Sequence, residues 1–349
     1  MEFGLFHEFQ WSPGDSEADA FQHSFAQIDA AERWGLDAVW LAELHLAPHR
    51  SVLSAPLVLA AAVAARTSRI RIGTAVQVLP LCHPLRLAEE VATVDQVSRG
   101  RLIFGVGRSG FPRTYEAYGV PYAESRERFA EILEILKLAW TEPSFSYRGR
   151  FHHFDKLTLV PKPYQKPHPE IRVAATSADT YAAIGALGHA AFVAARLGTL
   201  SELAPHIASY RAAYRAAGHP GQARVYLRVP VYVAETAERA REEPRESIMR
   251  LLRQTGALLG DSASLAGARP IEQRAERARQ LQTVTYEEAL ADKVVVGTPE
   301  AVADRLLGLR ETLGLDGILA ELNSGSLIAH ERVMTALRLL CEEVMPRFK

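Results

Sequence analysis

The side chains of this 349-residue chain that could do chemistry fall where short apolar runs end. His7 and Glu8 close the first run, and Glu43 and His45 follow DAVWLA. Gln77 and Arg108 follow two more such runs, and Thr176, Ser177 and Thr180 lie in AATSADTYAAIG (174–185). Strand residues two apart share a face, so Glu43 and His45 point the same way if the strand runs through them. A carboxylate orienting an imidazole is a general acid–base pair; the pair equally fits a structural histidine at a strand end. Thr176, Ser177 and Thr180 offer hydroxyls and free backbone N–H groups to a phosphate. Ordinary N-capping by Ser177 or Asp179 also fits. GVGRSG (105–110) matches G-x-G-x-x-G, but FPRTYEAYGVP follows it in place of the helix that a dinucleotide fold requires. Its glycines read instead as close backbone approach to a ligand, with Arg108 directed at an anion. His7, His45 and His49 lack a metal-ligand spacing, so no metal is expected.

Positioning these groups needs a regular frame. Strands are expected at 2–6, 38–42, 70–76, 102–106, 171–174, 191–195, 225–233 and 317–321, separated by amphipathic helical patterns. Pro84 suits a first helical turn after His83, Gly35 and Gly100 suit helix ends, and Thr298 is the expected N-cap of another helix. Eight strand–helix units predict a single (β/α)8 TIM barrel domain over 1–349, although the alternation also fits a doubly wound sheet. A minimal barrel takes ~250 residues. The surplus falls in insertions at 144–169 and 258–292. The second lies between the seventh and eighth units; its charge and small residues suggest a mobile lid or a solvated helix.

Composition narrows the function. A hydrophobic content of 48% can fill a large core, and a net charge of −1 argues against nucleic-acid binding. Cys82 and Cys341 form neither a metal nor a disulfide pattern. The start of the chain lacks a cleavable hydrophobic pattern, and its most apolar helix, at 55–65, is too short for a bilayer. A cytoplasmic protein with no membrane association is expected.

EFGLF, GLDAVWLAELH and IGTAVQVLPLCHPLRLAEEVATVDQVSRGRLIFGVGRSG together resemble the bacterial luciferase-like flavin-dependent monooxygenases. So do the turn at 177–180, VVGTPEAVADRL and the terminal VMPRFK. The resemblance covers almost the whole chain. The LP…HP.R.AE…D..S.GR..FG run is its most specific part.

That likeness implies a (β/α)8 barrel that uses reduced FMN and dioxygen to oxygenate a small, aldehyde-like substrate. An NAD(P)H-dependent flavin reductase would supply the reduced flavin. The resemblance carries flavin-phosphate contacts onto Arg108, Ser177 and Thr180, with Thr176 standing where luciferase has a glutamate. It also implies a non-prolyl cis peptide at Ala75–Val76 beneath the flavin ring. A homodimer or dimer of dimers is implied through the helices at 55–65 and after Pro84. Leu44 stands where luciferase keeps its catalytic histidine, leaving His45 as the acid–base candidate beside Glu43. Gly107 replaces a reactive cysteine, so light emission is not expected. A deazaflavin-dependent hydride-transfer oxidoreductase and a non-catalytic flavin-binding protein are the alternatives.

Overall fold

The computed structural model describes residues 1–48, 50–175, 178–195, 198–263 and 271–349, with backbone alone at 178, 261–263 and 271–274. Eight parallel strands close into a barrel: β1 (Glu2–His7), β2 (Ala38–Leu41), β3 (Arg71–Thr74), β4 (Leu102–Gly107), β5 (Glu170–Ala174), β6 (Ala190–Ala194), β7 (Val225–Val233) and β8 (Gly317–Glu321). Each pairs with the next, and β8 returns to β1 through Gly317 opposite Glu2. Their near-continuous apolar runs reflect burial on both faces, as a helix-covered parallel sheet demands.

Trp40 fills the middle of the barrel, meeting Phe192 edge-on with ring centroids 5.0 Å apart. Gly4 and Gly73 make room for it, since a Cβ on either would overlap the indole. Below it, Arg172 is fully buried, 3.5 Å from the Tyr226 ring centroid and 4.8 Å from that of Trp40. Its Nη1 lies 2.7 Å from Glu2 and its Nε 2.9 Å from Glu170. Burial opposes ionisation of Glu170, but Arg172 and Arg224 outweigh it and hold the carboxyl down at about 2. The barrel is thus plugged at its N-terminal end, leaving the C-terminal mouth for ligands.

Much of the family-like run proves architectural. Pro84 opens the Pro84–Ser98 helix after His83, and Arg99 takes the left-handed C-cap (φ 55°), with Gly100 also at positive φ. Arg101 donates to the carbonyls of Ala64, Thr67, Ser98 and Ile70, tying two helix ends to the barrel. Asp95 accepts from the backbone N–H and side-chain amide of Gln165, anchoring the first insertion. That insertion carries an antiparallel hairpin, Phe145–Arg148 with His153–Leu157, which the periodicity did not reveal. Thr298 caps Pro299–Leu313 as expected.

The second insertion lies between the seventh and eighth units as expected but begins earlier than expected, at Arg245. Helices Arg245–Ala263, Ile271–Thr283 and Tyr286–Asp292 share a core of Ile248, Leu252, Leu259, Ala278, Leu281 and Tyr286. Ile248 and Leu252, on the helix that begins at Arg245, join Leu259, Ala278, Leu281, Tyr286 and Ala289 of the 258–292 stretch. Arg269 and the Arg274 side chain, expected to give this segment a positive bias, lie outside the described residues.

Candidate active site

The contact between Glu43 and His45 forms, but not on a strand. β2 ends at Leu41, and Glu43 and His45 lie in the loop beyond it. Their side chains meet nevertheless, with His45 Nε2 2.7 Å from Glu43 Oε1. Glu43 Oε2 accepts from Gln77 Nε2 at 2.6 Å and from the Val78 backbone N–H at 2.7 Å. A carboxylate oxygen can only accept, so the contact with Oε1 calls for the hydrogen on His45 Nε2. The other ring nitrogen, Nδ1, lies 2.9 Å from the hydroxyl of Tyr118, a residue that sequence reasoning did not single out. Tyr118 caps the short Pro112–Ala117 helix in the loop beyond β4.

Arg108 leaves β4 directly. Its Nη1 donates to Ser125 Oγ at 3.1 Å, and the Tyr115 hydroxyl donates to its backbone carbonyl. Among the described residues, no carboxylate lies within ion-pair distance of its guanidinium. Arg126 instead holds Asp179, in the first turn of the Ala178–Leu187 helix. Burial first, with Arg126 adding to it, lowers the Arg108 pKa from its ordinary value despite the opposing influence of Asp179. These effects bring the exit of β4 and the start of that helix into one electrostatic neighbourhood, where an added anion would be favoured. Thr180 lies half-buried in the same helix, while Thr176 and Ser177 fall outside the described residues. The Tyr115 hydroxyl bonds the Arg108 carbonyl and Tyr118, just beyond it, bonds His45, so Arg108 and the Glu43–His45 pair share one mouth.

The glycines of the β4 exit admit neighbouring protein atoms. A Cβ on Gly105 would collide with the Thr74 carbonyl, and one on Gly107 with the Val76 side chain. They let β4 pass close to Thr74–Val76, a contact completed by Thr74 Oγ1 donating to the Gly105 carbonyl at 2.6 Å. The Ala75–Val76 peptide is cis, as the resemblance implies, and both residues pack against the barrel-filling cluster of Phe6, Trp40 and Phe192.

His7 and Glu8 take structural duties. His7 Nδ1 accepts from the Phe9 backbone N–H, and its Nε2 lies 3.0 Å from Gln27 Oε1. Burial depresses its pKa to about 4, so the ring is neutral. Glu8 is held by Arg50 at 2.7 Å and by Arg228 at 3.0 Å, and Arg228 also pairs with Glu321 at 2.7 Å. The second insertion lies beside this network. A cavity of about 30 Å³ there is lined by Ala195, Arg228, Leu252, Thr255 and Glu321. Thr255 Oγ1 is buried without a hydrogen-bond partner among the described residues. His49 lies outside the described residues, and no helix among them is long and apolar enough to cross a membrane.

The model of the luciferase-like monooxygenase family matches residues 1–316. The chain belongs to that family. Among its relatives, it is 37% identical over 197 residues to an uncharacterized protein, y4vJ, of Sinorhizobium fredii. That match covers 56% of each chain; the chain spans about half the length of such curated relatives. It is 27% identical to the oxygenase component of a flavin-dependent trigonelline monooxygenase from Acinetobacter baylyi, covering 100% of this chain and 96% of that one. The crystal structure of the monooxygenase RslO1 from Streptomyces bottropensis superposes with a TM-score of 0.80, at 27% identity and 100% coverage of both chains. Within this luciferase-like frame, the groups gathered at the mouth belong to the loops beyond β2, β3 and β4.

Proposed function

We propose that the protein is the oxygenase component of a two-component, FMN-dependent monooxygenase acting on a small, aldehyde-like organic substrate. The observation that carries this reading is Arg108, a half-buried cation without a carboxylate partner among the described residues, beside a helix start at the barrel mouth. Gln77 Oε1 adds to the fit: it is buried without a partner among the described residues and can accept from a ligand N–H or O–H. Both features suit FMN, which brings a phosphate and hydrogen-bonding ring edges.

When bound, reduced FMN would supply the electrons for dioxygen activation; the remaining work falls to the chain. Arg108, with Ser177, Thr180 and Thr176, would hold the phosphate, and Ala75–Val76 would support the ring. His45, oriented by Glu43, would hold or accept a proton. The plugged barrel floor and the helices of the second insertion, acting as a lid, would keep water from the reacting centre. An NAD(P)H-dependent reductase would deliver the reduced flavin. The chain would act as a single cytoplasmic domain and as a homodimer or dimer of dimers, joined through Pro56–Arg66 and Pro84–Ser98. The exposed Val58 and Val97 on these helices support that assembly.

The test is titration with oxidised and reduced FMN, then stopped-flow mixing with dioxygen in the presence of an aldehyde panel. Saturable FMN binding and substrate-dependent oxygen insertion are expected. Failure to bind FMN, or selective binding of a deazaflavin with no oxygen consumption, would overturn the proposal.

A further inference from the structure

We infer that the Tyr118 hydroxyl, and not a nitrogen of His45, is the group through which the Glu43–His45 pair exchanges protons with a ligand at the mouth. The inference rests on the proposed reading of this mouth as a flavin and substrate site.

Both nitrogens of His45 are engaged. Nε2 faces Glu43 Oε1 at 2.7 Å, and Nδ1 faces the Tyr118 hydroxyl at 2.9 Å. Glu43 cannot turn away freely, because its second oxygen is held by the Gln77 amide and the Val78 backbone N–H. The order is therefore carboxylate, imidazole, hydroxyl. In the neutral ring, Nε2–H points to Glu43 and the Nδ1 lone pair accepts from Tyr118. Exposure decides which end meets a ligand: His45 is half-buried, whereas Tyr118 is 49% exposed.

The phenol stays protonated near neutrality. Burial raises its pKa from the ordinary value, and Glu43 and Cys82 add to this. Of the groups near the relay, burial pushes the Cys82 thiol up to about 12 and raises Tyr115, while Arg108 opposes the rise at Tyr115 and Glu90 adds to that at Cys82.

The proton balance is simple. A ligand O–H or activated C–H gives its proton to the Tyr118 oxygen as the Tyr118 proton moves to His45 Nδ1. The ligand becomes an anion, Tyr118 is regenerated as a phenol, and the new imidazolium directs its Nε2–H at the Glu43 carboxylate. The reverse sequence delivers a proton to a ligand oxyanion. Tyr118 is thus the contact residue, His45 the relay and Glu43 the positioning group.

The test compares wild type, Tyr118→Phe, His45→Gln and the double variant. Tyr118→Phe keeps the ring and its packing and removes the hydroxyl alone. Its oxygenation rate should fall roughly 10²–10⁴-fold, as expected for lost acid–base help. Its rate should also lose the pH dependence seen in wild type, with FMN affinity within about twofold of wild type, a margin well below the tenfold that 1.4 kcal/mol represents. The double variant should be no slower than His45→Gln alone, because both changes break one relay. Nitrogen-15 NMR of flavin-free protein, with the His45 signals assigned through His45→Gln, should show Nδ1 shifting when the Tyr118 hydroxyl is removed. An unchanged Nδ1 signal, an unchanged pH profile in active Tyr118→Phe, or losses that multiply in the double variant would overturn the relay. The NMR measurement needs no flavin. A wild type that binds no FMN would therefore refute the proposed function, while the Nδ1 signal still decides whether the hydroxyl is coupled to the imidazole.

Discussion

Replacing Arg108 with alanine removes a cation whose described surroundings hold no substitute. Ser125 Oγ, its hydrogen-bond partner, is uncharged, and the adjacent Arg126 is already committed to Asp179. A charge-assisted hydrogen bond to a partly buried anion contributes ~1.5–3 kcal/mol. At about 1.4 kcal/mol per decade, FMN affinity should fall roughly 10- to 150-fold. Riboflavin has the same ring and no phosphate, so its affinity should change by less than about threefold, a difference of roughly 0.7 kcal/mol. Flavin fluorescence titrations with both ligands, at two salt concentrations, provide the measurement. The FMN difference between wild type and variant should shrink at high salt, because part of it is a screened charge interaction. Equal losses for FMN and riboflavin would refute the phosphate assignment and show that Arg108 supports the mouth structurally, through Ser125.

His45→Ala should slow substrate oxygenation by roughly 10²–10⁴-fold and leave FMN affinity near wild type; a well-folded variant with an unaltered rate would show the histidine to be structural. His7 binds its proton near pH 4 when folded and near 6.5 when unfolded. The unfolded state therefore takes up more protons between those values, and stability should fall as the pH drops through that window, by roughly 3 kcal/mol in all. Urea unfolding at stepped pH reads this out, and a slope unchanged in His7→Gln would contradict it. Arg172→Met keeps much of the side-chain volume but strips Glu2 and Glu170 of their buried partner. It should lower unfolding free energy by about 3 kcal/mol; a loss below about 1 kcal/mol, as for an exposed pair, would mean that the plug is dispensable.

All eight barrel strands are legible because each is a short apolar run bounded by turn residues, and most bounds agree within one residue. β3 is the exception: it ends at Thr74 where the pattern ran on to Val76, and pairing with β4 resumes only at Gln77–Val78. Glu43 and His45 are legible as a pair from their spacing, although a loop and not a strand brings them together. Tyr118 was hidden because its partner is 73 positions away. Its place in the loop beyond β4 was the available clue. The purpose of Gly105 and Gly107 was hidden for the same reason, since the crowding atoms belong to Thr74 and Val76. In the second insertion, apolar residues on separate helices form one core, and no single stretch displays it.

The guanidinium stopper at the barrel floor also governs traffic. Arg172 is wedged between Trp40 and Tyr226 and tied to Glu2 and Glu170, so among the described residues the bottom of the barrel is filled. Whatever enters the barrel must depart by the same door. A large molecule seated near the doorway obstructs anything smaller lying deeper, so arrivals and departures become ordered. In the proposed reading, a substrate lying deeper than the flavin would enter first and leave last. Selectivity is then partly a matter of queueing, set by the loops beyond β2 to β4 and by the helices beside them.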